Sequence, residues 1–492
     1  MNYPQTPIGL PSSLNYTLPP SASPSARSFS VNVSPDGITS VQGPPLPATT
    51  FVVNAPGSLG SFNSQVVSFS LPCGQSDSVF LDTNCTTLSF TLIYTVGTAL
   101  SAAGALFNIK SSAASFFDQL TLYSNNVPIE SINQYGLLQN FLIQNGVSAS
   151  ERNGGLSVAM GCDSNTSTGL DLNLKDTGTF RYNFTIPLLS IIGANMNDNK
   201  LFPIGMIQNL QLLMTTANQL PMVSFCTAIT TQPTIPAGFQ LSEFTLNLKY
   251  VDIGADASAI LRTTLNNNKW FIKANTYINS SATIPSGSSG SQQLLFQIRN
   301  TSLKSLYHTF SIAQNAVSPN GDYDSINPQL SSRQLQIGSN FYPTKALNDT
   351  ARPSESYQYL IAALVQNGGL LHSMGTTINR YMYCTLLSPT GVSGQDSTYT
   401  TPALCVRTFA NVTDESTSTN VIKFPNSFYC GYDLELNSGP QLFQGVNTRS
   451  SPPFLSLNLL TTLGNTVNVN AWGLCDVILE IDAMSKTITA YI

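Results

Sequence analysis

Few residues in this chain have the chemistry for catalysis or metal binding, and their spacing suits neither. There are two histidines, His308 and His372. His308 lies in an apolar, strand-like run, SLKSLYHTF, and His372 follows Leu370-Leu371. A metal site needs several ligands brought to one point, as in H-E-x-x-H. Neither that pattern nor H-x-H occurs, so both histidines read as structural. Asn320-Gly321-Asp322-Tyr323-Asp324 sets two carboxylates at i, i+2. In a calcium-binding EF-hand loop the glycine follows the acidic ligands; here it precedes them, and the segment reads as a solvated turn. The glycine-rich IPSGSSGS from Ile284 lacks the Lys-Ser or Lys-Thr pair of a phosphate cradle and reads as a flexible loop. A G-x-S-x-G elbow and a dinucleotide fingerprint are also missing. The acids are few and unclustered, which gives general acid–base catalysis little to work with. Catalytic, cofactor-binding and metal-ligating residues are all expected to be none.

The aromatic residues do not point to nucleic acid either. The chain has 19 Tyr and 25 Phe, but stacking platforms for single strands need interleaved Lys and Arg. Here the aromatics stand at strand-core spacing without basic neighbours. Trp270 and Trp472 are the only tryptophans, which argues against a sugar-stacking glycosidase.

What the chain has in place of charge is more telling. Only 9% of its 492 residues are charged, against about 25% in ordinary soluble proteins. Ser, Thr, Asn, Gln, Gly and Pro take their place, while the hydrophobic share stays ordinary at 42%. Charge keeps free monomers apart, so so neutral a surface fits one that rests against other copies of itself. The net charge of −5, and Arg27 as the one basic residue before Lys110, exclude a basic arm that neutralises phosphates. The eight cysteines are scattered with no C-x-x-C pair; they read as free, mostly buried thiols rather than disulfides. The start shows no basic, then apolar, leader pattern, and no apolar run reaches membrane-spanning length. Sequons such as those at Asn183 and Asn411 are expected by chance in so Asn- and Thr-rich a chain.

Elements that would position these residues follow from the periodicity. Residues 1–60 are Pro-, Ser- and Thr-rich with scattered large apolar residues, and read as an extended or disordered N-terminal arm. Within it, Ser34-Pro35-Asp36-Gly37 is a turn signal for a small hairpin. A period of two then sets in. Leu88, Phe90, Leu92 and Tyr94 alternate with smaller or polar residues, as do Phe180, Tyr182, Phe184 and Ile186, and Phe244, Leu246, Leu248 and Tyr250. Each set is a strand with one core face. Residues 255–267 read as a linker. Strand patterns resume at Leu294, Phe296 and Ile298, recur at Leu455, Leu457 and Leu459, and close with Cys475, Val477, Leu479 and Ile481. The fold class is all-β, in two blocks over 61–254 and 268–492 without a residue-level repeat between them. One helix is expected in each. Ile132, Tyr135, Leu138 and Leu142 mark the first, ended by Asn145-Gly146. Tyr357, Leu360, Ile361 and Leu364 mark the second, opened by Pro353-Ser354-Glu355 and stopped by Gly368-Gly369. Both are expected to pack on the side of a sandwich.

Several stretches together resemble a known family. They are FFDQLTLYSNNVPIESINQYGLLQN from Phe116, NTSLKSLYHTF over 300–310, and IGSNFYPTKAL over 337–347, followed by the helix SESYQYLIAAL. This succession resembles the double jelly-roll major capsid proteins of polinton-like viruses, adintoviruses and virophages, a lineage of DNA viruses that also includes adenoviruses and tailless membrane-containing bacteriophages. The resemblance implies two consecutive eight-stranded antiparallel jelly rolls. It implies homotrimeric, pseudo-hexagonal capsomers tiling an icosahedral virion that is assembled inside the host cell. Implied partners are the chain itself, neighbouring capsomers, penton and minor capsid proteins, and an internal membrane. No direct sequence-specific nucleic-acid binding is expected, since a basic inner segment is missing. The alternative class is a viral spike or fibre, or a secreted β-sandwich adhesin binding a receptor or glycan. It shares the composition but would bring disulfides, glycans, a leader or repeats. Deleting residues 1–55 is expected to leave the trimer folded and to impair shell assembly.

Overall fold

The computed structural model describes residues 27–42, 55–58, 65–99, 106–162, 168–195, 201–217, 222–226, 239–263, 269–312, 323, 325–364, 378, 383, 385–388, 391–394, 400–401, 406–410, 420–425, 427–435 and 443–491. The chain opens with β1 (Arg27–Val33), β2 (Ser40–Gln42), β3 (Ala55–Ser58), β4 (Val66–Ser70), β5 (Val79–Asp82) and β6 (Thr87–Val96). It continues with β7 (Leu106–Lys110), β8 (Phe117–Ser124), β9 (Val127–Asn133), α1 (Tyr135–Gly146), α2 (Ala149–Asn153) and α3 (Gly155–Met160). Next come β10 (Thr168–Asp171), β11 (Gly178–Pro187), β12 (Leu201–Phe202), β13 (Leu210–Thr216), β14 (Met222–Cys226), β15 (Gln240–Asp252) and α4 (Ala255–Thr263). The second block begins with β16 (Lys269–Ile284), β17 (Gly290–Leu295), β18 (Leu303–Ile312), β19 (Leu330–Ile337), β20 (Asn340–Leu347) and α5 (Pro353–Leu364). Five short strands follow: β21 (Thr385–Ser388), β22 (Gly391–Gly394), β23 (Thr400–Thr401), β24 (Val406–Ala410) and β25 (Asn420–Pro425). The last are β26 (Cys430–Asp433), β27 (Phe454–Leu459), β28 (Val467–Asp482) and β29 (Thr487–Tyr491).

Each block pairs two large antiparallel sheets. In the first, β11-β6-β15-β5-β12 opposes β4-β13-β8-β9, with β10-β7-β14-β3 as a third sheet. In the second, β16-β28-β18-β26 opposes β17-β27-β19-β20. Neighbours in these sheets are far apart in sequence: β16, the first strand of its block, pairs along its whole length with β28. That is jelly-roll topology, in which early strands close against late ones. The alternating positions fill the cores. Leu88, Phe90, Leu92, Tyr94, Leu246, Leu455 and Leu479 are all buried, and Phe90 meets Phe116, Phe117, Phe184 and Phe244 with ring centroids 5.3–6.0 Å apart.

Three details differ from the sequence expectation. Residues 27–42, read as part of an arm, line the free edge of β15: β1 pairs with Asp252 through Leu246, and β2 with Ser242 through Gln240. The turn at Ser34–Gly37 therefore interrupts one long edge strand and does not fold back as a hairpin. Asp36 is tied to β4, its backbone N–H donating to Ser68 O at 2.7 Å while its carboxylate accepts from Ser70 Oγ at 2.6 Å. The neighbours of these residues lie some two hundred positions on, so local composition misreads them as unpartnered. Removal of residues 1–42 is expected to destabilise the first block by ~2 kcal/mol or more, because Val41 alone is fully buried. Denaturation midpoints of the full and shortened chains check this. The linker 255–267 is not plain coil: residues 255–263 form α4, with Ala257 and Leu261 buried. Finally, Ile132 belongs to β9, and α1 begins only at Tyr135. The helix ends at Gly146 as its sequence suggests, and α5 begins at Pro353. The stop signal at Gly368-Gly369 lies outside the described residues.

Candidate functional site

His308, on β18, is fully buried; it stacks on Tyr432 at 5.7 Å and meets the edge of Phe310 at 5.2 Å. Its ring nitrogens have no hydrogen-bond partner among the described residues. Burial, aided by the nearby Arg333 charge, holds its pKa well below the ordinary value, so the ring is neutral near pH 7. Arg333 pairs bidentately with Asp349, Nε to Oδ2 at 2.9 Å and Nη2 to Oδ1 at 3.0 Å, both side chains being fully buried. Ser356, in the first turns of α5, donates to the same carboxylate. The guanidinium lies 5.0 Å from the Tyr432 ring centroid. The cluster thus ties β19 and the loop before α5 to the helix and to β26. Gly431 makes that approach possible: a Cβ there would stand 3.0 Å from Ala363 Cβ and 3.1 Å from Leu360 Cα.

Two more buried ion pairs stand in the same block. Lys273 Nζ is 3.1 Å from Asp476 Oδ1, and Lys304 Nζ is 2.9 Å from Glu435 Oε1. Burial pulls the Lys273 ammonium below its usual range, with Asp476 opposing, and pushes the Glu435 carboxyl up. The second oxygen of Asp476 accepts from Ser302 Oγ at 2.6 Å and from Gln444 N at 3.1 Å. Buried charges persist only when partnered in this way. His372, Asp322 and Asp324 lie outside the described residues. The glycine-rich loop is the turn between β16 and β17, with Gly287 and Gly290 at φ +83° and +66°. Trp270 and Trp472 are buried, so neither presents a stacking face. Cys73, Cys85, Cys430 and Cys475 are thiols; burial raises the pKa of Cys430 and Cys475, which keeps both protonated.

The distinctive arrangement is the joint between the blocks. Helix α1 packs on the first block, against residues 113–116 and β8, and turns Phe141 toward the second. Phe141 lies 5.1 Å from Tyr307, 5.2 Å from Tyr429 and 6.4 Å from Trp472, measured between ring centroids. Polar groups fix its register. Tyr429 Oη donates to Gln144 Oε1 at 2.7 Å, and Asn140 Nδ2 donates to Tyr323 O at 3.3 Å. Gly136 permits close approach, since a Cβ there would fall 2.9 Å from Tyr323 Oη. Elsewhere along the joint, Phe80 meets Trp270 at 5.8 Å, and Asn275 N donates to Asn195 O at 2.9 Å. Lys486 Nζ donates to Gly74 O at 3.2 Å. As its stripe suggests, α1 lies on the side of its own sandwich, where Asn140 Oδ1 accepts from Ser111 Oγ and Gln139 Nε2 donates to Pro187 O; the stripe alone does not show its second contact, with the other block. The available signal was Gln139, Asn140, Gln144 and Asn145, amides crowded onto one short apolar helix and all buried.

The outer face of β11-β6-β15 shows what the neutral composition builds. Its side chains hydrogen-bond to one another: Ser89 with Thr185 at 2.8 Å, Thr95 with Thr179 at 2.9 Å, and Asn247 Nδ2 to Ser89 Oγ at 2.8 Å. Glu243, at φ +56° in an irregularity of β15, accepts from Thr91 and Arg181. Those two donors hold its carboxyl below the usual carboxylate range. The result is a broad face with little net charge, whose donors and acceptors are already partly satisfied.

Two successive jelly rolls make this the double jelly-roll fold. Solved structures of that fold match the chain nearly end to end. The Faustovirus major capsid protein has a TM-score of 0.55 and 9% identity, covering 94% of this chain and 92% of its own. VP54 of PBCV-1, as fitted into a reconstruction of the virophage Sputnik, has a TM-score of 0.53 and 12% identity, covering 95% and 97%. The mavirus major capsid protein has a TM-score of 0.51 and 10% identity, covering 100% and 95%. No protein-family model matches the chain, and no curated protein matches its sequence.

Proposed function

We propose that this chain is the major capsid subunit of an icosahedral DNA virus. Three copies form a capsomer of six jelly rolls with a pseudo-hexagonal outline, and capsomers pack side by side into the shell. The chain resides in the virion, is assembled inside the host cell and has no enzymatic role. Penton and minor capsid proteins complete the shell, and the inner face meets a membrane or such proteins rather than the genome. The observation that carries this reading is whole-length agreement in fold with capsid proteins, from the first jelly roll through the second. The flank of β11-β6-β15 supports it physically. Side-by-side packing of charged faces would bury unpaired ions, whereas Ser, Thr and Asn already bonded to one another lose little on contact. The first jelly roll spans 61–254 together with residues 27–42, and the second spans 268–492. Electron microscopy of the expressed protein tests it. Capsomers of hexagonal outline, alone or in closed shells, are expected. Isolated elongated monomers at every concentration would refute it.

A further inference from the structure

At the joint between the two rolls, Glu130 is an acid without a cation partner among the described residues. Glu130, on β9, is buried at 2% exposure. Its Oε2 accepts from Ser190 Oγ and from Ile191 N at 3.0 Å, both in the loop after β11. Its Oε1 lies 2.8 Å from Thr276 Oγ1, on β16 of the second roll. One carboxyl group therefore bridges a strand and a loop of the first roll to the opening strand of the second. Across β9 it stands opposite Leu122 of β8. The loop over 188–195 offers no titratable residue, and α1 offers Tyr135, whose hydroxyl accepts from Leu189 N at 2.9 Å and is itself buried. The charged residues of β16, Lys269 and Lys273, pair with Glu480 and Asp476 instead. No Lys, Arg or His among the described residues acts on Glu130.

We propose that Glu130 makes the joint between the two jelly rolls pH-sensitive: as a neutral acid it holds the joint closed, and on ionising it loosens it. The neutral acid carries no charge to bury, and its own O–H can donate to the Ser190 or Thr276 hydroxyl, either of which can turn from donor to acceptor. The carboxylate would be a buried anion with hydrogen bonds but no counter-ion, a costly state. Burial is the dominant influence, and it lifts the pKa to about 7 against the pull of Ser190, Ile191, Thr276 and Asn195. For a group whose folded-state value is raised, the stabilisation is complete below the unfolded value, here 4.5, and is lost as pH rises through about 7.

The test is denaturant unfolding of the full chain at fixed salt from pH 5 to pH 8, wild type beside Glu130→Gln. Glutamine has the shape of the neutral acid and cannot ionise. Buried His308 titrates alike in both proteins, so the difference isolates Glu130. Across that range the wild-type folding constant is expected to fall by roughly a hundredfold relative to the variant. Parallel pH profiles would overturn the proposal. Hydrogen exchange on the unmutated chain gives a second reading that does not depend on the variant folding. After correction for intrinsic rates, the amides of Ile191 and Asn275 are expected to open more often at pH 8 than at pH 5. Unchanged protection at both would also overturn it.

Discussion

Phe141→Ala is expected to lower stability by about 3–5 kcal/mol, the range for deleting a fully buried aromatic side chain. Phe141 has no solvent exposure, and the three rings it meets all belong to the second roll. The substitution removes the edge-to-face contact with Tyr429 and leaves a cavity where α1 meets the other block. The polar contacts at Asn140 and Gln144 cannot compensate, because they hold register and bury little apolar area. Denaturant unfolding at one pH measures the loss. A second consequence distinguishes a joint from an ordinary core site. With its wedge gone, the chain is expected to unfold in two steps, one per roll, where the parent unfolds more cooperatively. A loss below 1 kcal/mol with a single transition would mean that α1 does not couple the rolls.

Asp349→Ala is expected to cost a similar amount, roughly 3–5 kcal/mol, for a different reason. The side chain removed is small, but it strands the Arg333 guanidinium in a site with no exposure. Ser356 on α5 loses its acceptor as well. Replacing both members, Arg333→Met with Asp349→Leu, is expected to recover most of the loss, because no unpaired charge remains buried. A double-mutant cycle by chemical denaturation checks the pattern: the singles severe, the pair much milder. If the double variant is as unstable as the sum of the singles, the pair acts through packing, and the electrostatic account of this cluster fails.

The strand faces were legible in the sequence because their signal is local. Leu88, Phe90, Leu92 and Tyr94 alternate with polar neighbours because one face of β6 meets the core and the other carries the Ser and Thr ladder. Helices α1 and α5 were legible from their stripes, the end of α1 at Gly146 and the start of α5 at Pro353 for the same reason. What stayed hidden depends on partners distant in sequence. Residues 27–42 look too polar to fold, yet they need only a free strand edge, and β15 supplies it. Ile132 has helical spacing to Tyr135, but its pairing with Leu120 keeps it in β9. Glu130 looks like any exposed strand acid; Thr276, 146 residues away, gives it its position. His308 was readable as structural from its apolar run, but the Tyr432 ring that stacks on it was not. The large outer face was foreshadowed by composition alone, since only 9% charge over this length leaves Ser, Thr and Asn to cover it.

Whether this fold builds a capsomer shows in the solution mass of the purified chain. Light scattering after gel filtration at moderate salt is predicted to give a stable species of three chains, each of 52.8 kDa. A single-chain mass held over a wide concentration range would contradict it.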